Sequence, residues 1–425
     1  MQEFQILGLT QNTLDILKNK GFSKPTKIQK LTIPLILKNK QDIIGQAQTG
    51  TGKTASFGLP ILEILKENTG QVQTLILVPT RDLALQVQSD LISFKGQKRV
   101  SIRAIYGGQP IERQIKELRT GSDIVVGTPG RILDHLNRRT LQLQNVSHLV
   151  LDEADEMLNM GFLKDVERIM LHTPKNKRTL LFSATMPKAI MKIIDKHMKS
   201  YEICKVAETT LATANTLQLY VEVPRDQKIK ALTRILDLEK SFYGIVFCRT
   251  RFEVKKVAAD LKKKGHSVSP FSGDISQRTR EKIMQQFKSQ KLSVLVATDV
   301  AARGIDVKNL THVINYTLPD DSNIYVHRIG RTGRAGQQGT AISFVGAGEF
   351  KKIKDIEHIS KISIEKFQTD LGVTLPHGFR QEIPTAPKGR GNFGRFSKKK
   401  TSHSSSPQES YKKRWSPTRK KTTHK

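Results

Sequence analysis

Two tandem α/β domains, each a parallel sheet covered by helices, followed by a basic C-terminal tail without a fold of its own, are the architecture this sequence predicts. Three observations lead there. Short apolar, β-branched runs alternate with helical segments, and the whole rhythm occurs twice. At 425 residues with 37% hydrophobic content, the chain exceeds one ordinary core but is well supplied for two. The last fifty residues, from 376 on, hold 14 Lys/Arg against two acidic residues, Glu382 and Glu409.

In chain order, the strand candidates of the first set are DIIG (42–45), TLILVP (74–79), DIVVG (123–127), HLVLD (148–152) and TLLFS (179–183). The second set is LQLYVEV (217–223), YGIVFC (243–248), SVLVAT (293–298) and THVINY (311–316). Continuously apolar strands joined by helices indicate parallel sheets buried on both faces. Between the sets, AETTLATANT (207–216) lacks apolar periodicity and reads as a linker. A first domain over 31–206, a second over 213–365 and a tail over 366–425 follow. Rich in Ser, Pro, Gly and Lys, the tail cannot bury enough apolar surface to fold alone and is expected to be disordered.

A formal net charge of +32 points to a polyanion partner, most simply nucleic acid, against the plainer reading of a basic surface kept for solubility. Cys204 and Cys248 lie far apart without CxxC spacing, which argues against a disulfide framework or a zinc site and for a reducing compartment. The N-terminus has no secretory signal pattern, and no apolar run reaches the roughly 18 residues that a span requires. A cytoplasmic, non-membrane protein is expected.

Against that positive balance, HLVLDEADEML (148–158) gathers Asp152, Glu153, Asp155 and Glu156 at a strand end, a cluster that requires a cation. AQTGTGKT (47–54) identifies it. Following a strand and opening a helix, Ala47, Gln48, Thr49, Gly50, Thr51, Gly52, Lys53 and Thr54 form a phosphate-binding loop. Its amides would surround phosphate oxygens, Lys53 would reach the β and γ phosphates, and Thr54 would ligate Mg²⁺. Asp152 then holds the same Mg²⁺ through its water shell, and Glu153 orients or deprotonates the attacking water. In the second domain, YVHRIGRTGRAG (325–336) spaces Arg328, Arg331 and Arg334 among glycines, an arrangement suited to the charge on a transferring phosphoryl group. If Arg331 and Arg334 act on phosphates held by the first domain, hydrolysis requires the domains to close.

With these motifs in this order, the sequence over residues 2–365 resembles the DEAD-box family of ATP-dependent RNA helicases, whose two domains are RecA-like. The resemblance implies that residues 1–30 form the adenine-recognition segment. Phe22 would pack on the adenine ring, and the Gln29 amide would match its donor–acceptor edge, so the fuel would be ATP. It implies that Ser183, Thr185 and Asp155 couple nucleotide to RNA, with His327 meeting them from the other domain near Asp155, and that Asp306 reaches the ribose. RNA would run past Arg81, Gly108, Thr128 and Arg131, then past Arg249, Thr250, Gln277, Arg280, Thr298 and Asp299. One departure is Asp82, where the family usually has Glu; the acid is kept, and little change is expected.

The reading is therefore an enzyme, an RNA-stimulated ATPase that separates RNA strands locally by domain closure, with ATP and Mg²⁺ as cofactors. Contacts to phosphate and sugar predict little base preference. Ribosome-assembly or RNA-decay proteins are candidate partners. The alternatives are a DNA-directed translocase and a non-enzymatic RNA clamp or annealing chaperone. Phe393, Phe396, Tyr411 and Trp415 in the tail are candidates for stacking on bases.

Overall fold

The computed structural model describes residues 1–38, 41–48, 50–206, 215–302, 307, 310–333 (Asn323 for its backbone only), 337–360, 362–367 and 371. All belong to one compact unit, Met1–Phe379. Thr49, Asp306, Arg334, most of the expected linker and nearly all of the tail lie outside the described residues.

Two lobes fold from the two sets of strands. The first contains β1 (Asp42–Gln46), β2 (Thr74–Leu77), β3 (Ile102–Ile105), β4 (Ile124–Gly127), β5 (His148–Asp152), β6 (Arg178–Ser183) and β7 (Tyr201–Lys205). The second contains β8 (Thr216–Glu222), β9 (Gly244–Phe247), β10 (Val268–Phe271), β11 (Val294–Ala297), β12 (His312–Asn315), β13 (Gly339–Val345) and β14 (Glu365–Lys366). Every pairing is parallel. Sheet order is β3-β4-β2-β5-β6-β1-β7 in one lobe and β10-β11-β9-β12-β13-β8-β14 in the other. Strand by strand, the two orders are the same. Strand β8 starts at Thr216, the last residue of the expected linker.

Successive side chains of a strand point to opposite faces, and here each face has its own core. Val150 of β5 joins the cluster of Ile76, Val126 and Leu180, whereas Leu149 and Leu151 join Leu75, Leu77 and Leu181. In lobe two, Ile245, Leu295 and Val313 lie on one side and Val246, Val296 and Ile314 on the other. Burial on both faces is why these strands are continuously apolar rather than alternating. Among the described residues, no helix is long and apolar enough to cross a membrane.

HLVLD does not lie beside the strand that leads into the AQTGTGKT loop: β6 lies between them, with Leu180 paired to Ile43 of β1 on one side and to Val150 of β5 on the other. Local pattern does not encode strand order. The acidic cluster reaches the loop across the carboxyl edge of β6.

Candidate active site

Strand β1 ends at Gln46, and the helix Lys53–Ile64 begins after a turn closed by the Thr51 hydroxyl donating to the Gln48 carbonyl at 2.7 Å. Gly52 caps that helix at φ 87°, where a Cβ would be strained and would strike the Gln29 amide. Thus the loop can pass only as glycine. Gln29 is buried, its Oε1 accepting from the Thr26 N–H at 2.9 Å and its Nε2 donating to the Gly52 carbonyl at 3.1 Å. The proposed adenine reader is thereby tied to the phosphate loop. Phe22, expected against adenine, is half-buried and packs edge-on against Phe4 and Phe94, with centroids 6.5 and 6.0 Å away.

Lys53 is 6% exposed, and its ammonium is buried with no hydrogen-bond partner among the described residues. A buried cation without acceptors is costly unless a ligand supplies them. Facing it is Asp152, whose carboxyl burial pushes up to about 7 against the pull of Lys53, with Glu153 and Asp155 adding to the rise. Both features fit a site completed by phosphate and a divalent cation, which would reverse the shift of Asp152. Among the described residues, no group of three His, Cys, Asp or Glu could hold a metal. A cation at Thr54 and Asp152 would therefore draw its other ligands from phosphate and water, as Mg²⁺ commonly does.

Glu153 adopts φ 53°, ψ 52°, a left-handed conformation disfavoured for a side chain of this kind, where β5 passes into the helix Ala154–Asn159. Glu153 lines a cavity together with residues of the second lobe. Asp155 is held by its neighbours: its Oδ2 accepts from the Thr185 N–H at 2.8 Å and hydroxyl at 3.0 Å, and its own N–H donates to Ser183 Oγ at 3.1 Å. Burial pushes its carboxyl up, but Lys53, His327 and these bonds bring it below the ordinary carboxylate value. The structure therefore brings together Asp155, Ser183 and Thr185, at the ends of adjacent strands.

From lobe two, the helix Ser322–Ile329 and the turn after it meet this cluster. His327 Nδ1 lies 3.1 Å from Oε1 of Glu156, a residue to which the sequence reading gave no role. Glu156 was legible only as one more carboxylate of the cluster, because its contact comes from 171 residues away. One cavity is lined by Glu153 and Glu156 together with Asp299, His327, Arg328 and Arg331. The arginines differ in what they face. Arg328 is 3% exposed and spends its fork on Asp299 at 2.6 and 2.8 Å, Asn315 at 3.0 Å and the Thr317 carbonyl at 2.7 Å, so it braces lobe two. Arg331 lines the cavity, its Nε donating to the His327 carbonyl at 3.3 Å.

A second cross-lobe contact joins two helix starts. Thr80 caps the helix Arg81–Phe94 by accepting from the Leu83 N–H, and Ser276 caps Gln277–Lys288 by accepting from the Thr279 N–H. Arg81 donates to Gln277 Oε1 at 2.7 Å and lies so close to Gly108, at φ 88°, that a Cβ there would approach its guanidinium to 2.6 Å. Arg280 is 5% exposed; it donates to Asp82 at 2.8 Å and to the Ala301 carbonyl at 2.7 Å, and stacks 4.1 Å from the Phe271 ring. Of the residues expected on the RNA path, Arg81, Gln277 and Arg280 thus bond to the opposite lobe. Asp82, expected to matter little, is the acid that receives Arg280. We expect Asp82→Arg and Arg280→Asp each to lower RNA-stimulated kcat/KM by roughly tenfold or more, and the double exchange to recover much of it. Steady-state ATPase assays check this; no recovery in the double variant would show that the pair does not join the lobes.

The remaining expected RNA contacts are dispersed. Arg131 donates to the Gln109 carbonyl at 3.1 and 3.2 Å and to Gln114 at 3.0 Å, bracing the loop that holds Gly108. Thr128 donates its backbone N–H to Ile105, Arg249 pairs with Asp320 at 2.5 Å, Thr250 caps the helix Arg251–Lys263, and Thr298 accepts from the Ala301 N–H. Asp299 is held by Arg328.

Comparisons with known proteins agree with this geometry. A family profile described as DEAD/DEAH box helicase matches residues 26–193, and one described as helicase conserved C-terminal domain matches 227–336. The chain is 48% identical over 368 residues to the DEAD-box ATP-dependent RNA helicase CshA of Geobacillus kaustophilus, covering 87% of this chain and 79% of that one. A crystal structure of a DEAD box protein from Methanococcus jannaschii is similar at 49% identity, with 86% and 99% coverage and a TM-score of 0.51. Dbp5 of S. cerevisiae bound to RNA and ADP BeF3 is 31% identical, with 86% and 96% coverage, and superposes at a TM-score of 0.79. Two like lobes of parallel sheet and helices, one matched by each of the two helicase profiles, define a helicase core. The chain belongs to the DEAD-box family of ATP-dependent RNA helicases.

Proposed function

We propose that the chain hydrolyses ATP in the cavity between its lobes and uses lobe closure to separate RNA strands locally. The observation that carries this reading is one cavity walled by Glu153 and Glu156 from one lobe and by His327 and Arg331 from the other, together with a buried Lys53 ammonium that has no acceptor among the described residues and acts on Asp152 next to Glu153. The γ-phosphate would supply the acceptor for Lys53. Glu153 would take the proton of the attacking water, and Arg331, with Arg334, would meet the charge that develops on the transferred group. Thr54 and Asp152 would hold Mg²⁺, which neutralises phosphate charge when bound. Asp155, through Ser183 and Thr185, would couple the state of the nucleotide to the RNA, and Asp306 would reach the ribose.

Because half of this machinery sits on each lobe, turnover requires both to be in place, and RNA bound across both lobes favours that state. The higher TM-score against a complex with RNA and ADP BeF3 than against a relative of greater sequence identity supports reading this arrangement as a closed one. Both cysteines are free and buried, in keeping with a reducing compartment, and we place the protein in the cytoplasm, with ribosome-assembly or RNA-decay proteins as its partners.

Steady-state ATP hydrolysis without nucleic acid, with single-stranded RNA and with DNA of matched sequence tests the reading. RNA is expected to accelerate turnover and DNA to do so far less. Equal stimulation would indicate a DNA-directed motor, and RNA binding without turnover would indicate a clamp or chaperone.

A further inference from the structure

Among the described Phe, Tyr and Trp side chains one is exposed, Phe252 at 76%. A lone surface apolar residue needs no explanation in itself. What marks this one is its position. It is the second residue of the helix Arg251–Lys263, which leaves the carboxyl edge of β9 and buries Val254, Val257, Ala258 and Leu261. That inward stripe fixes the opposite face: at about 100° per residue, Phe252 stands roughly 200° from Val254 and points to solvent with Lys255 and Lys256, three and four positions on. Thr250, capping this helix, is one of the proposed RNA contacts. Strand β11 is paired beside β9, and the helix that follows it exposes Val300 at 54% on the same carboxyl edge.

Charge supplies the second line of argument. From 249 to 256 the chain carries Arg249, Arg251, Lys255 and Lys256 against Glu253; Arg249 pairs with Asp320 and Lys255 with Asp274, which leaves Arg251 and Lys256 as the exposed cations beside the ring. The Glu253 carboxylate is turned inward, accepting from the Thr317 hydroxyl at 2.9 and 3.0 Å and from the Arg249 N–H at 2.8 Å. Seen from solvent, Phe252 is an apolar ring between Arg251 and Lys256, with the ion pairs of Arg249 and Lys255 at its margin. A protein partner's apolar surface is poorly served by one ring ringed with charge, whereas a nucleic acid strand brings both features required, flat base faces and a phosphate chain.

We propose that Phe252 is a base-stacking residue of lobe two, seating a nucleobase of the RNA strand whose phosphates follow the same sheet edge. The proposal rests on the RNA helicase reading and adds to it a contact to a base, independent of base identity because every base has a π face. Phe252 stands outside the ATP site and outside both cross-lobe contacts, so it acts on RNA affinity and not on the chemical step.

The test uses the full chain as Phe252→Ala and Phe252→Trp, with ATP hydrolysis followed against single-stranded RNA concentration. Phe252→Ala is expected to raise the half-saturating RNA concentration by about 5- to 100-fold, with turnover at saturating RNA preserved, and Phe252→Trp to restore wild-type affinity. On an RNA strand carrying abasic sites, wild type and Phe252→Ala should converge. An unchanged RNA curve for Phe252→Ala, beside a stimulated wild type, overturns the stacking role and leaves solubility or a protein contact as the reason for the ring. Phe252→Trp as weak as Phe252→Ala overturns it too. A wild type that RNA does not stimulate removes the helicase reading, and the stacking proposal with it.

Discussion

Glu153→Gln is expected to lower RNA-stimulated ATP turnover by about 10²- to 10⁴-fold while leaving ATP binding in place, and to trap the protein on RNA as a long-lived complex. The left-handed backbone at Glu153 is what makes the substitution informative. Gln keeps the length and shape of the side chain, so whatever holds that conformation is undisturbed. What is lost is the capacity to accept a proton from water. With hydrolysis blocked and both lobes still engaged, nothing reopens the clamp. Single-turnover hydrolysis and RNA dissociation rates, measured side by side, check both halves. Unaltered RNA-stimulated turnover would remove Glu153 from the base role and leave the kink without a catalytic account.

Arg331→Ala is expected to be as severe or worse, about 10³- to 10⁵-fold in turnover, because a guanidinium that meets a developing phosphoryl anion would act mainly in the transition state. ATP affinity should change much less than turnover. Arg331→Lys should recover little, since an ammonium cannot present two parallel donors to phosphate oxygens. Arg328→Ala is expected to behave differently: removing a buried guanidinium leaves Asp299 and Asn315 without their partner, so it lowers the melting temperature of the fold. Comparing the two by thermal unfolding and by single-turnover kinetics separates brace from phosphate ligand, though both lie in one turn of sequence. Near-normal turnover in Arg331→Ala would place the chemistry within lobe one.

Much of this is legible in the sequence. The inner strands, β13 apart, announced themselves through apolar runs, as in Leu149, Val150 and Leu151 of β5, whereas the edge strands β3, β7, β10 and β14 carry too little apolar pattern and were not legible. The AQTGTGKT loop was legible because its glycines stand between a strand and a helix, and Gly52 indeed sits where a Cβ would strike Gln29. What was not legible involved partners distant in sequence. Asp82 and Arg280 are 198 residues apart, and neither carries a local sign of the other. The difference between Arg328 and Arg331, three positions apart on one short segment, depends on which atoms the fold sets opposite each.

The sequence by itself determined the two-lobe α/β class and the glycine-bearing turn between β1 and the helix Lys53–Ile64, since these follow from local periodicity and glycine placement. Tertiary structure alone decided that β6 separates the loop from the acidic strand, that Glu156 faces His327 and that Arg280 closes on Asp82. Such choices come from how two sheets order their strands and approach each other, and the free energy of those contacts belongs to pairs that no single stretch of chain contains.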